Sequence, residues 1–269
     1  MLPIPPRSVC IGLVHSREAD AQIEGDRAFH ITSGYQKLLD IFLEELKGLN
    51  VPIHLNTVVS DIKWRSGPVQ VEPHSSAGQI PYSAARALIT FPLGVLQSNS
   101  VRFAPDLPGD KHIALEKLAM GKVIRVTLCF RESFWQELKP EGERKTLAGL
   151  SFLFSRDQFF PTWWTKMPEE IPVITGWAPA HSAELLAGMS EGRVIDKALN
   201  SLSSLLCLKK SQIESQLSAA YFHNWDSDPF SRGAYSYVKV GGEGCQRTLS
   251  EPIDNTLFFA GVGKFLKIL

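Results

Sequence analysis

The stretch GYQKLLDIFLEELKGL, Gly34 to Leu49, places Leu38, Leu39, Ile41, Phe42, Leu46 and Leu49 at helical spacing, with Asp40, Glu44, Glu45 and Lys47 between them. That periodicity predicts an amphipathic helix. It runs into a short apolar segment, Val51 to Leu55, then a β-rich stretch, Thr57 to Trp64, and later Ala85 to Thr90, which stops at Pro92. Helix, strand, hairpin and strand in succession are the grammar of an α/β fold.

Further along, Met120 to Phe130 is the strongest strand signal, with Val123, Ile124, Val126, Thr127, Leu128 and Phe130 close together and Phe134-Trp135 just after. Ile171 to Trp177 predicts a second apolar strand. Between the two, SFLFSRDQFFPTWWTK carries an aromatic group unusual for a surface loop. His181 to Gly188 and Glu191 to Leu206 read as helices, the second with Val194, Ile195, Ala198, Leu199, Leu202 and Leu205 on one face. Gln216 to His223 and Leu257 to Ala260 complete the predicted strands.

Composition narrows the function classes. The chain has 269 residues, 44% hydrophobic, enough for a substantial core. Lys plus Arg equals Asp plus Glu at 28 each, and no basic stripe stands out, so no nucleic acid is expected as partner. No segment approaches the roughly 18 apolar residues of a membrane span, and the proline-rich start is unlike a secretory signal; no membrane association and cytoplasmic residence are the expectations. Cys10, Cys129, Cys207 and Cys245 are far apart, with no Cys-x-x-Cys and no histidine at ligand spacing, so neither a metal site nor a disulfide framework is expected.

Phosphate-loop readings fail on the residues. GVGK at Gly261 to Lys264 has Phe258 where a nucleoside-triphosphate loop needs glycine and Phe265 where it needs Ser or Thr. No G-x-G-x-x-G follows a strand. Seven scattered histidines form no metal or triad pattern, and no G-x-S-x-G elbow supports a hydrolase. The densest stretch is NWDSDPFSRGAYSYV, Asn224 to Val238, where Asp228-Pro229 and Arg232-Gly233 mark turns and display Trp225, Tyr235 and Tyr237 around a loop. Two readings stand from the residues alone: aromatics that wall a pocket or wrap a cation, or aromatics that plug the loop against the core.

That loop resembles the flavin-containing amine oxidases, the family of monoamine and polyamine oxidases and related histone lysine demethylases. The resemblance continues in order through EGDRAFHITSGYQKLL, VPIHLNTVVSDIKW, ALITFPLGVL, VRFAPDLPGDKHIALEKLAMGKVIRVTLCF, ITGWAPAHSAELL and LFFAG. It implies an α/β (α+β) fold in which a partial, Rossmann-like FAD-binding domain is interleaved with a mixed-sheet substrate domain flanked by helices. The implied division is 1–92, partial FAD-binding domain with the start of the substrate domain; 93–225, substrate domain; 226–269, return to the FAD-binding domain. It also implies oxidation of a small-molecule amine, with hydride leaving the carbon beside nitrogen for FAD and oxygen reoxidising the flavin.

By the same resemblance, Tyr235 matches an aromatic wall that holds the amine and Trp225 the tryptophan beside the flavin ring. Val59 falls where backbone groups hold the adenine end. Thr90, Pro92 and Gly261 lie where the chain passes the cofactor. Arg125 stands at the family's lysine, which holds a water at the reactive flavin nitrogen, and Lys122 does not replace it, because an odd separation in a strand reverses the face. Ala234 occupies the position that is cysteine in members with covalent flavin, so FAD would be held non-covalently.

The chain also departs from the family pattern: it begins past the Gly-rich strand-turn-helix, and LFFAG continues as VGKFLKIL, with Val262 at a glutamate position. On these departures the isolated chain is expected to lack a working flavin site. A partner chain supplying the missing flavin-binding segments is one implication; a non-catalytic remnant or binding module is the alternative reading. Unpaired strand edges and apolar surface then predict aggregation when the chain is expressed alone. A monodisperse, cooperatively melting monomer in light scattering and calorimetry would count against that.

Overall fold

The computed structural model describes residues 31–73, 81–140, 142 and 144–261, with Ala21 and Arg27; Cys10, His15, His30, His74 and Val262 lie outside the described residues. In chain order the elements are α1 (Tyr35–Gly48), β1 (Val59–Trp64), β2 (Val69–Pro73), β3 (Tyr82–Ala84), β4 (Ala87–Ile89), α2 (Leu93–Gln97), β5 (Arg102–Ala104), α3 (Gly109–Lys117), β6 (Leu118–Met120) and β7 (Val123–Phe130). After a 3₁₀ turn at Phe134–Glu137 come β8 (Phe152–Phe154), β9 (Thr162–Thr165), β10 (Val173–Pro179), α4 (His181–Leu186), α5 (Glu191–Leu206), α6 (Lys210–Gln216), β11 (Leu217–Phe222), β12 (Ser236–Val238), α7 (Cys245–Ser250) and β13 (Leu257–Phe259). The α/β class is as the sequence implies.

Two compact units result. The first holds the described residues up to Phe91, Leu96–Ala119, and those from Val238 on; the second holds Pro92–Val95 and Met120–Tyr237. The chain crosses between the units at 91/92, 95/96, 119/120 and 237/238, beside the 92/93 and 225/226 read from the sequence, and the segment 96–119 falls in the first unit. The reason is that β5 pairs with β1 and α3 packs on α7, which keeps most of 96–119 in the first unit.

In the first unit a four-stranded mixed sheet has the order β3-β2-β1-β5, with β1 and β5 parallel. A separate parallel pair joins β13 to β4, matching Leu257 with Ala87 and Phe259 with Ile89. Thr256 ties the two: its hydroxyl accepts the Gly67 N–H at 2.9 Å and its carbonyl the Ala87 N–H at 2.9 Å. The predicted helix α1 forms, yet none of its residues is buried, and Leu39 and Phe42 stay exposed.

The polar anchor of this unit is Lys111, only 2% exposed. Its Nζ donates to the carbonyls of Thr248 at 2.5 Å, Leu249 at 3.2 Å and Glu251 at 2.5 Å, at and just past the C-terminus of α7. It also lies 4.9 Å from the centre of the Phe259 ring. Burial pulls its pKa below the ordinary lysine range, while Asp110 and Glu251 pull it back.

In the second unit the five-stranded sheet β11-β7-β10-β9-β8 is antiparallel at every pair; the mixed sheet belongs to the first unit. Ile124, Val126, Leu128 and Phe130 of β7 share one face and pack with Ile174, Trp163 and the helices. Helix α5 contributes Val194, Ala198, Leu199 and Leu202, a three-and-four spacing that lays one stripe on the sheet. Gly176 is required there, since a Cβ on it would lie 2.7 Å from the Trp163 ring.

Lys111→Met keeps the apolar stem and removes the donors from three carbonyls. It should lower unfolding stability by about 2–3 kcal/mol, read as a lower urea midpoint at unchanged slope. An unchanged midpoint would show that the ammonium contributes nothing net.

Candidate active site

In the first unit, β4 and β13 run parallel and end together. The Ala260 N–H donates to the Ile89 carbonyl at 3.0 Å, which carries Thr90 and Gly261 to the same end of the pair. Gly261 has φ +111°, a conformation side chains rarely adopt, and among the described residues a Cβ there would meet only the Thr90 carbonyl, at 3.6 Å. Bare backbone outside the carboxyl ends of parallel strands is where α/β sheets bind dinucleotides. The geometry fits a cofactor edge at Thr90 and Gly261. Val59, by contrast, opens β1 in the other sheet of this unit, half-buried and facing Pro73 across a register shift.

In the second unit, the loop 224–233 is closed by its own backbone. The Gly233 N–H donates to the Trp225 carbonyl and the Arg232 N–H to the Asp228 carbonyl, each at 2.9 Å. Asp228 organises the turn: it accepts the Phe230 N–H at 2.8 Å and pairs with His223 Nε2 at 2.9 Å. The Phe230 N–H, then His223, hold its carboxyl below the ordinary carboxylate range. The His223 ring meets Trp225 edge-on, centroids 4.2 Å apart. Spacing alone concealed this pair, because the turn at Trp225–Ser227, closed by the Asp228 N–H on the Asn224 carbonyl at 3.1 Å, brings positions five apart together.

Tyr235 is fixed by main chain. The Gly121 N–H donates to its carbonyl at 2.6 Å, the Ala234 N–H returns to Gly121 at 3.0 Å, and a Cβ on Gly121 would lie 2.7 Å from the Tyr235 ring. Pro92 begins the segment that meets the loop from outside: a Cβ on Gly94 would lie 2.4 Å from the Arg232 carbonyl. Trp225, Tyr235 and Tyr237 are all exposed, so the loop displays its aromatics instead of plugging them into a core.

Arg125 is the third residue of β7 and exposed on the face opposite the helices. Lys122 lies on the helix side, 3.8 Å from Glu184 of α4, at a cavity of about 150 Å³ that Asn224 and Asp226 also line. Registered across the sheet from Arg125 are Trp177, then Thr162, then Phe154; the next row is Tyr221, Thr127, Thr175, Trp164 and Phe152. This aromatic face was missed in the sequence. The signal for it is Phe152 and Phe154 two residues apart, flanking Leu153, which faces the core. Among the described residues no His/Cys/Asp/Glu group suits a metal, and no helix is long and apolar enough to cross a membrane.

A parallel strand pair in one unit and an antiparallel sheet with an aromatic face in the other make this a two-unit α/β protein. The family model for flavin containing amine oxidoreductases matches residues 5–264, and the chain belongs to that family. It is 28% identical to lysine-specific histone demethylase 1 homolog 3 of Arabidopsis thaliana over 86% of this chain and 14% of the relative. It is 29% identical to human lysine-specific histone demethylase 2 over 90% of this chain and 28% of the relative. Among solved structures, putrescine oxidase bound to putrescine superposes with TM-score 0.64 at 20% identity, over 81% of this chain and 45% of that one. Cyclohexylamine oxidase from Brevibacterium oxydans IH-35A superposes with TM-score 0.56 at 19% identity, over 76% and 42%. The chain thus spans less than a third of these two demethylases and less than half of these two oxidases.

Gly121→Ala should cost about 1–3 kcal/mol by forcing the Tyr235 ring aside. In a Tyr235→Ala background the same change should cost less, a coupling of at least about 0.5 kcal/mol in denaturant titrations. Strict additivity would show that the ring does not rest on Gly121.

Proposed function

We propose that this chain takes part in FAD-dependent oxidation of a small-molecule amine. The observation that carries the reading is the meeting of Thr90 and Gly261 at the carboxyl ends of β4 and β13, inside the segment matched by the family model. Bound flavin would supply the two-electron acceptor for hydride leaving the carbon next to nitrogen.

Everything else falls to the chain. Thr90 and Gly261 offer backbone that a cofactor can approach closely, with Val59 and Pro92 as further contacts by resemblance. Tyr235 and Trp225 would wall the amine and keep water from it. Arg125 would hold a water or an anion through its fixed donors and, remaining charged, would not act as a base. Ala234 offers no sulfur for a covalent link. A partner chain completing the flavin clamp belongs to the same proposal.

Purified chain, mixed with FAD and freed of unbound cofactor, should retain flavin absorbance bands near one per chain, bleached by amine under anaerobic conditions. A spectrum with no retained flavin, alone or with the partner segments added, would sink the oxidase reading in favour of a non-catalytic binding module.

A further inference from the structure

His223 and Trp225 stand two positions apart, just past the end of β11, and their rings touch edge-on with centroids 4.2 Å apart. No other aromatic ring among the described residues meets the indole. The main chain of Trp225 is held, since its carbonyl accepts the Gly233 N–H at 2.9 Å, but that bond leaves the side-chain torsions free. What sets the ring is therefore its neighbour. The imidazole is tied in turn to Asp228, Nε2 to Oδ2 at 2.9 Å. Asp228 is well anchored: it accepts the Phe230 N–H on its side chain at 2.8 Å and the Arg232 N–H on its carbonyl at 2.9 Å, and its own N–H donates to the Asn224 carbonyl at 3.1 Å. Its side chain is 18% exposed, against 54% for His223. The carboxylate is the fixed member of the pair, so the imidazole takes its place from the loop and passes it to the indole.

Imidazole is the side chain whose charge ordinarily changes between about pH 5 and 8. Protonated, it meets the Asp228 carboxylate as a charge-assisted pair; neutral, it keeps an ordinary hydrogen bond of about half the strength. The carboxylate does not fail first, because the Phe230 N–H, then His223, hold its carboxyl below the ordinary range. A depressed carboxyl contributes fully above the ordinary carboxylate range and is lost only as pH falls through its lowered value. The tie is thus strongest on the acid side of neutrality and weakens as pH rises and the imidazole loses its proton. Other charged groups surround the stem of the loop. Lys122 and Asp226 line the cavity that Asn224 also lines, with Glu184 3.8 Å from Lys122. Extending the β11–β7 register one place beyond Phe222 and Val126 sets Arg125 across from His223. Among the described residues Asp228 alone is in hydrogen-bond contact with the imidazole.

We propose that His223 is a positioning residue for Trp225, and that its protonation tightens the setting of the indole and makes the aromatic wall of this loop sensitive to pH. That the wall holds an amine rests on the oxidase reading; the coupling between the two rings does not.

Tryptophan emission reads the coupling without flavin or amine. An imidazolium in ring contact quenches an indole more than a neutral imidazole does. The emission of Trp225, isolated as the difference between the wild-type chain and Trp225→Phe, should therefore fall in a single one-proton step as pH is lowered from about 8 to about 5. His223→Gln keeps a donor for Asp228 without the charge; it should abolish the step and raise the access of acrylamide to the indole. Asp228→Asn keeps an acceptor for the Phe230 N–H without the charge; it should move the midpoint of the step to lower pH, because a neighbouring carboxylate favours the imidazolium. Unchanged emission from the other tryptophans reports that each variant folds. A flat Trp225 emission, a step that survives His223→Gln, acrylamide access unchanged in that variant, or a midpoint unmoved in Asp228→Asn would each overturn the proposal. A chain that retains no flavin yet shows the step would defeat the oxidase reading alone; a flavin-retaining chain with flat Trp225 emission would defeat this inference alone.

Discussion

The register of β7 is the constraint on which the second unit depends. Val126 to Cys129 are paired on both sides, to β10 and to β11, and Val123 to Arg125 continue the pairing with β10, so the strand's period of two is locked. Ile124, Val126, Leu128 and Phe130 must therefore face the helices, and Val123, Arg125, Thr127 and Cys129 the other side. A slip of one position would drive Arg125 into the core among Trp163, Val194 and Leu202, where no acidic partner waits. Burying an unpaired guanidinium is costly enough that the register has one acceptable solution. The core thus fixes the face on which the arginine is displayed.

The first unit has a polar counterpart to that apolar constraint. Helix α7 is too short to be stable by itself, and its terminal carbonyls have no successors in the helix. Lys111 supplies three donors to them from α3, and the turn after the helix leads through Ile253 and Thr256 directly into β13. The Ala260 N–H then joins β13 to the end of β4, setting Gly261 by Thr90. A buried ammonium therefore takes part in ordering the end of the strand pair where Thr90 and Gly261 meet. The cation also stands over Phe259, so the strand and the cap share one group.

Where the sequence was legible, two-sided pairing or a single apolar stripe made it so. β7, β10, β11 and α5 all carry periods long enough to see, and they form the core as expected. β8 and β9 escaped because each is three or four residues long and because both of their faces are apolar. An exposed face built of phenylalanine and tryptophan abolishes the alternation that announces a strand. Lys111 escaped for a different reason: its acceptors lie 137 to 140 positions along the chain, and a lone lysine in a helix reads as surface. The contact between Thr90 and Gly261 is equally non-local, and only the parallel pairing of β4 with β13 reveals it.

The loop carrying Trp225 and Tyr235 shows how exposed aromatics are held without a core. Its hydrogen bonds are mostly backbone to backbone, with Asp228 and Asn224 adding side-chain acceptors, and its closest approaches fall on glycines: Gly94 against Arg232, Gly121 against Tyr235, Gly233 against Met120. Each allows an approach that any side chain would block. The Tyr235 ring is then backed by the main chain at Gly121 and the Trp225 ring by the edge of His223, and both rings keep exposed surface. Two rings at nearly half exposure would be hard to justify as stabilising elements, since they leave much of their apolar area in water. Rigid backing combined with exposed ring surface is what a ligand-binding wall requires, and it separates the stability of the loop from the identity of whatever the rings contact.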